Sequence, residues 1–381
     1  MKLAHLSDLH LGKVVCGYSM LEDQREILHQ IEEKLIRKGV DTVVIAGDVY
    51  DRTVPPAEAV TLLNDFLSAL KRENMNIFLI AGNHDSGERL SFAGDLLDEV
   101  NVHISGVWNG KLTCTDLMDR FGPYHVWSLP YLRPSAVNRF IEDESKKVST
   151  YEEAVKYALS TADLNPEERN ILVAHQFVAG ASLEEDGSEE FAVGGLDCID
   201  SSVFDGFDYV ALGHIHTSQA AGSQTVRYCG TPLAYSFGEK NEKSITLVDL
   251  EEKGQMRISL IRLTPKRPFA VLEGMFADLL KPEMIEKHQQ EYLSIILDDP
   301  QDVPDAITTL GAHYPYIMKL DYASRSVKGE EALQAAEEME KKTPYDLFAE
   351  FYEQRNQQEM SEEQKEYVQK EINEIWKGEQ A

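Results

Sequence analysis

The stretch Tyr209-Val-Ala-Leu-Gly-His-Ile-His216 carries an apolar run into a glycine and two histidines one residue apart. Its apolar part reads as a strand covered on both faces, the pattern of a sheet with other layers packed on it. Alternate side chains of a strand share a face, so both imidazoles leave on the same side. Packing, a pH-sensitive pair and a metal site are the readings open to such an ending.

Four other runs end in a similar way. Lys2-Leu-Ala-His-Leu-Ser7 leads into Asp8-Leu-His10, and Thr42-Val-Val-Ile-Ala46 into Gly47-Asp48-Val-Tyr-Asp51. Asn76-Ile-Phe-Leu-Ile-Ala81 leads into Gly82-Asn83-His84-Asp85, and Asn170-Ile-Leu-Val-Ala174 into His175. Between them, Leu21, Leu28, Ile31, Leu35 and Ile36 recur at helical spacing. Pro55-Pro56 opens a second helix carrying Val60, Leu63, Phe66, Leu67 and Leu70, and a third is expected from about Glu88 to Val100. This alternation predicts an α/β fold whose ligands gather at the carboxyl ends of the strands. His125-Val-Trp-Ser-Leu129 is a further strand. Val226-Arg-Tyr-Cys229, Ser244-Ile-Thr-Leu-Val248 and Arg257-Ile-Ser-Leu-Ile261 follow without a helix between them, which predicts a mixed sheet paired with a second one.

Taken singly, each ending has a plain reading. Asp8-x-His10 and Gly47-Asp48 are good turn formers, Asn83-His84 suits a left-handed turn, and His175 alone is a hydrogen-bonded core histidine. Five consecutive strand ends built from Asp, Asn and His have one common cause in a two-metal centre. Such a centre needs a bridging carboxylate and further nitrogen and oxygen ligands.

The formal net charge of −29 on 381 residues argues against a stand-alone, high-affinity polyanion binder, so a phosphate-bearing substrate needs cations to mask that field. Hydrophobic residues make up 43% of the chain, enough to bury a sizeable core. No apolar run approaches the roughly 18 residues of a membrane span, and the amino terminus turns polar too early for a signal peptide. Cys16, Cys114, Cys198 and Cys229 are widely spaced, as expected of reduced thiols in a cytoplasmic protein.

The five motifs, in this order, resemble the calcineurin-like metallophosphoesterase family. His5-Leu-Ser-Asp-Leu-His-Leu-Gly12, Ala211-Leu-Gly-His-Ile-His216 and Arg227-Tyr-Cys-Gly-Thr-Pro232, followed by Ser236-Phe237, are similar to its branch of bacterial DNA-repair nuclease subunits. The resemblance implies a two-sheet β-sandwich flanked by helices, with a small α+β capping domain and C-terminal helices. It implies two divalent cations, manganese first, with magnesium, iron or zinc as alternatives. Asp48 would bridge them; Asp8, His10 and His216 would complete one site, and Asn83, His175 and His214 the other. His84 would stand beside the scissile phosphate without binding metal, oriented by Asp51. The implied activity is two-metal hydrolysis of DNA, as an ATP-dependent double-strand exonuclease and single-strand or hairpin endonuclease in repair, recombination and replication. The implied assembly is a homodimer within a heterotetramer with an ATPase subunit. The helix after Pro56 and that from about Glu88 are candidates for the dimer contact. No Walker A motif is present, so ATP would act through the partner. A small-molecule phosphodiesterase or phosphatase, or a metal-stabilised scaffold, are the alternatives; the non-ligand His84 counts against the scaffold.

Pro265-Lys-Arg-Pro268 reads as a boundary, dividing a phosphoesterase domain (1–264) from a capping, DNA-contacting domain (265–325) with Tyr292-Leu-Ser-Ile-Ile-Leu297 as its clearest strand. The segment 326–381 reads as helical. Thr343-Pro344 and the Ser361…Gln364 box start two stripes, Leu347, Phe348, Phe351 and Tyr352, then Val368, Ile372, Ile375 and Trp376. These stripes suit packing on their own domain or docking into a partner groove, and the resemblance implies the ATPase subunit as that partner. Deleting residues after Lys342 is expected to abolish co-purification with that partner while leaving metal uptake intact; a truncated chain that still co-purifies contradicts the docking role.

Overall fold

The computed structural model describes residues 1–181 and 198–323, together with isolated positions between 360 and 368. Apart from Val368, the helical stripes expected in the carboxyl-terminal segment lie outside the described residues. In chain order the main strands begin with β1 (Lys2–Leu6), β2 (Thr42–Ala46), β3 (Asn76–Ile80), β4 (Val102–Ser105), β5 (Thr113–Asp119) and β6 (Gly122–Leu129). There follow β7 (Arg169–His175), β8 (Tyr209–Gly213), β9 (Gln219–Ala221), β10 (Ser223–Tyr228), β11 (Ser244–Leu250) and β12 (Met256–Arg262). The last three are β13 (Phe269–Gly274), β14 (Tyr292–Leu297) and β15 (Ile317–Tyr322). The longer helices are α1 (Leu21–Lys38), α2 (Ala57–Arg72) and α3 (Tyr151–Leu159).

Two six-stranded sheets, ordered β12-β11-β1-β2-β3-β4 and β9-β10-β8-β7-β6-β5, pack face to face. Both are mixed. β1, β2, β3 and β4 run parallel, while β11 and β12 pair antiparallel. In the second sheet β6, β7, β8 and β10 run parallel, with antiparallel β5 and β9 at the edges. Alternation divides each central strand between two cores. Val44, Ala46, Phe78 and Ile80 meet Ile171, Val173, Tyr209 and Ala211 between the sheets. Val43, Ile45, Ile77 and Leu79 instead pack under α1 and α2 through Ile27, Ile31, Leu35, Leu62 and Phe66. Leu172, Ala174, Val210 and Leu212 face α3 through Val155 and Ala158. The uninterrupted apolar runs thus arise because both faces of the strands are covered. This is the two-sheet sandwich flanked by helices.

The helix expected from Glu88 to Val100 is broken. Gly87–Leu90 and Gly94–Asp98 are separate short helices, because Ala93 adopts a left-handed φ of 59° between them. Phe92 and Leu96 are left exposed on this segment. A separate three-stranded sheet has the order β13-β14-β15. The chain divides into two compact units, one of Met1–Val271, Gln289–Ser294 and Tyr316–Met318, the other of Leu272–His288, Ile295–Pro315 and the chain from Lys319. Within the second, Tyr314 donates its hydroxyl to the Leu279 carbonyl at 2.6 Å, and Leu297 and Leu310 are buried. No helix among the described residues is long and apolar enough to cross a membrane.

At the amino-terminal end of β7, buried Arg169 joins the two sheets. Its guanidinium holds both oxygens of Asp119 at 2.5 and 2.9 Å, and it donates to the carbonyls of Gly122 and Glu251 at 2.6 and 2.9 Å. The Met1 amine shares Asp119 at 2.6 Å. Burial opposes ionisation of Asp119, but Arg169 and the amine hold its carboxyl well below the usual range. Removing Arg169 takes two charge-assisted bonds from Asp119 and leaves it only the Met1 amine as an ionic partner, so Arg169→Ala is expected to cost about 3 kcal/mol. A lowered urea midpoint with unchanged metal uptake is the expected outcome; an unchanged midpoint contradicts the clamp.

Candidate metal centre

The opposite ends of β1, β2, β3, β7 and β8 bring the sequence-predicted residues together. Asp8 and His10 follow β1, Asp48 follows β2, Asn83 and His84 follow β3, His175 ends β7, and His214 and His216 follow β8. The sheets approach so closely here that a Cβ on Gly213 would strike the Ala46 carbonyl, and within the first sheet one on Gly82 would strike the Asp48 carboxylate. Asp8, His10, Asp48 and His214 have positive φ values of 51°, 44°, 48° and 106°. Non-glycine residues rarely accept that conformation, and four of the nine found among the described residues lie in this one crevice. Backbone bonds hold it: Asp8 N–H donates to the Gly47 carbonyl and His10 N–H to that of Asp48, each at 3.0 Å. The amide of His214 donates to Asp8 Oδ1 at 3.1 Å.

Two groups of atoms flank the Asp48 carboxylate. On one side Asn83 Oδ1 lies 3.0 Å from His175 Nε2 and 3.1 Å from His214 Nδ1. On the other His10 Nε2 and His216 Nε2 face each other at 3.1 Å, grouped with Asp8. Asp48 Oδ2 stands 3.4 Å from His175 Nε2, 3.8 Å from His10 Nε2 and 3.9 Å from His84 Nε2. Asp8 also groups with Asp48 and His175, so both carboxylates sit between the imidazoles. Asp51 reaches His84 through its backbone oxygen, 3.2 Å from Nδ1. Its carboxylate instead binds Lys13 Nζ at 2.9 Å and faces His10 Nδ1 at 3.8 Å. His5, earlier on β1, is spent between the sheets on the Tyr209 hydroxyl and the Leu212 carbonyl.

Burial pushes the Asp8 carboxyl up to about 6, against the pull of His175 and His216. Burial also opposes ionisation of Asp48, but His175, His10 and His84 hold its carboxyl well below the usual range. Desolvation keeps His10 well below its ordinary value and brings His214 down to about 3. For His175 burial is outweighed by Asp48 and Asp8, which raise it to about 9. Burial thus keeps His10 and His214 neutral, while His175 retains a proton beside carboxylates that attract positive charge. His10 Nδ1 is buried without a hydrogen-bond partner, and the Nε2 atoms of His10 and His216 face one another at 3.1 Å, so ring nitrogens are concentrated around the carboxylates. Carboxylate oxygens, an amide oxygen and imidazole nitrogens are the donor set of divalent cations of intermediate hardness, and the residues fit such ions.

Three neighbours carry no signal in the sequence pattern of ligand types. Asp85 accepts from the amides of Val49, Tyr50 and Gly82 at 3.1, 2.9 and 2.9 Å, tying the loop after β2 to that after β3. Its place in the Gly-Asn-His-Asp motif is the one hint the sequence offers. Ser7 donates to Asp8 Oδ2 at 2.5 Å. Glu239, from the loop between β10 and β11, lies 3.4 Å from His216 Nδ1.

A family model described as calcineurin-like phosphoesterase matches residues 1–218. A second, described as the type 5 capsule protein repressor C-terminal domain, matches residues 265–356. The SbcD subunit of the SbcCD nuclease from Staphylococcus epidermidis is 30% identical over 324 residues, covering 84% of this chain and 85% of that protein. Among solved structures, a dimetal phosphatase from Danio rerio aligns at 12% identity and a TM-score of 0.41, over 69% of this chain and 96% of that one. A protein from Thermus thermophilus aligns at 13% and 0.39, over 68% and 98%. The phosphoesterase match spans every strand end that contributes to the crevice, and the chain belongs to the calcineurin-like phosphoesterase family, whose members work with divalent metals.

Proposed function

We propose that this chain is the nuclease subunit of an SbcCD-like complex and hydrolyses DNA phosphodiester bonds with two divalent cations, manganese first among them. The observation that carries the reading is the convergence of two groups of ligand-type atoms on the Asp48 carboxylate. The resemblance to a nuclease subunit over 84% of the chain supports the substrate class. In this reading Asp8, His10 and His216 would hold one ion and Asn83, His175 and His214 the other, with Asp48 shared between them. Bound cations supply Lewis-acid polarisation of the phosphoryl group and acidify water. The chain's own residues do the rest. The strained turns fix the ligand atoms before substrate arrives, so little reorganisation is left to the reaction. His84 is the most accessible of the site imidazoles; its Nδ1 donates to the Asp51 carbonyl, leaving Nε2 to face the centre. A proton held on Nε2 stabilises charge on the phosphoryl oxygens or passes to the leaving oxygen.

The finer reading is ATP-dependent double-strand exonuclease and single-strand or hairpin endonuclease activity in repair, recombination and replication. Residues 1–264 would carry the chemistry, 265–325 would cap the site and contact DNA, and 326–381 would dock an SbcC-like ATPase. A homodimer within a heterotetramer completes the assembly. Dependence on a partner also answers the acidic net charge of −29, which opposes DNA binding by the isolated chain.

General acid–base groups contribute roughly 10²–10⁴-fold, so His84→Gln is expected to slow manganese-dependent cleavage of duplex or hairpin DNA by about that factor. Metal uptake of the variant should remain at the wild-type level. Undiminished cleavage contradicts the role of His84. Hydrolysis of bis-p-nitrophenyl phosphate, with DNA left intact even alongside the ATPase partner, moves the assignment to a small-molecule phosphodiesterase.

A further inference from the structure

The loop between β10 and β11 places a buried ion pair behind one ring of the metal centre. The Glu239 side chain is 0% exposed and that of Lys243 is 7% exposed. Glu239 Oε1 lies 3.4 Å from His216 Nδ1 and accepts from the Tyr235 amide at 3.3 Å. Its Oε2 accepts from Lys243 Nζ at 2.6 Å and from the Thr231 hydroxyl at 3.3 Å. Lys243 Nζ donates in addition to the His216 carbonyl at 3.1 Å and to Thr231 Oγ1 at 2.7 Å, and the Thr231 amide donates to the same carbonyl at 3.1 Å. His216 is thus gripped at its ring and at its backbone by one polar cluster. The other face of that ring turns Nε2 towards His10 Nε2.

Burying two charges costs several kcal/mol per ion before their attraction returns it, and apolar residues of similar size often serve stability as well. A pair kept here calls for a use other than stability, and its geometry supplies one. We propose that Glu239, itself fixed by Lys243, is a positioning residue for His216. It holds the ring proton on Nδ1, so the Nε2 lone pair faces the centre, and it thereby sets the affinity of the Asp8–His10–His216 half of the site separately from the other half. His175 achieves the same fixation differently, through a backbone carbonyl: its Nδ1 lies 2.8 Å from the Ala46 oxygen. A carboxylate partner also makes the imidazole a stronger donor, which a backbone carbonyl does less well. Tyr235 extends the cluster to the β1 loop, its hydroxyl donating to the Leu9 carbonyl at 2.5 Å beside His10. This inference rests on the ligand set proposed above.

The test compares wild type, Glu239→Gln and the double variant Glu239→Gln/Lys243→Met, each stripped of metal. Manganese uptake is followed by calorimetry and by the spin-resonance signal of free Mn²⁺, and stability by urea unfolding. Loss of a group that orients a metal ligand typically weakens binding about 10–100-fold. Glu239→Gln is expected to weaken one of two ions by that factor, to leave the other unchanged, and to lower the urea midpoint by stranding Lys243. The double variant removes both charges and is expected to regain the midpoint without regaining the affinity. If the pair merely supported the loop, stability and affinity would return together. Wild type taking up two ions while the double variant binds both equally well overturns the positioning role and leaves the ligand set standing. Wild type that takes up fewer than two ions overturns both.

Discussion

The hydrogen bond from His175 to the Ala46 carbonyl, 2.8 Å long, ties the end of β7 in one sheet to the end of β2 in the other, and the crevice depends on that contact. Glycines make it possible. A Cβ on Gly213 would occupy the space of the same carbonyl, and one on Gly47 would run into the His175 ring. With the sheets this close, Asp48 comes within 3.4 Å of an imidazole from the opposite sheet. Each sheet alone supplies an incomplete set of ligand-type residues. Their junction brings the two together, at the end of the sandwich opposite the Arg169–Asp119 clamp.

Electrostatics follow from that junction. Two carboxylates are driven into a space where burial disfavours their charge, and the adjacent imidazoles relieve it unequally. The rise of His175 to about 9, in spite of complete burial, shows how strongly Asp48 and Asp8 favour positive charge at this point. The chain as a whole carries 66 acidic against 37 basic residues, so attraction of a polyanion has to be local. A crevice that concentrates cations on an acidic protein meets that requirement.

Much of this is legible in the sequence because the central strands are covered on both faces, which leaves unbroken apolar runs with abrupt polar ends. Thr42–Ala46 has the expected bounds for this reason, and Tyr292–Leu297 has them although one of its faces is only half-buried. β5 is not legible: it is an edge strand, Thr113–Asp119, whose half-exposed faces carry mixed residues such as Cys114, Asp116 and Met118. The helix from Glu88 is over-read, since apolar spacing continues through Ala93 although the backbone reverses there. In the crevice the ligand types are legible and their conformations are not. Asp8, His10, Asp48 and His214 take left-handed or strained backbones without being glycine, imposed by bonds from distant strands. Glu239 and Lys243 lie in a loop with no periodicity, and only tertiary packing brings them behind His216.

Anomalous scattering from crystals of the manganese-loaded protein tests the central claim most directly. Two peaks about 3.5–4 Å apart are expected. One should lie against Asp8, His10 and His216 and the other against Asn83, His175 and His214, with the Asp48 carboxylate touching both. A single peak, or two peaks that leave Asp48 free of metal, contradicts the account.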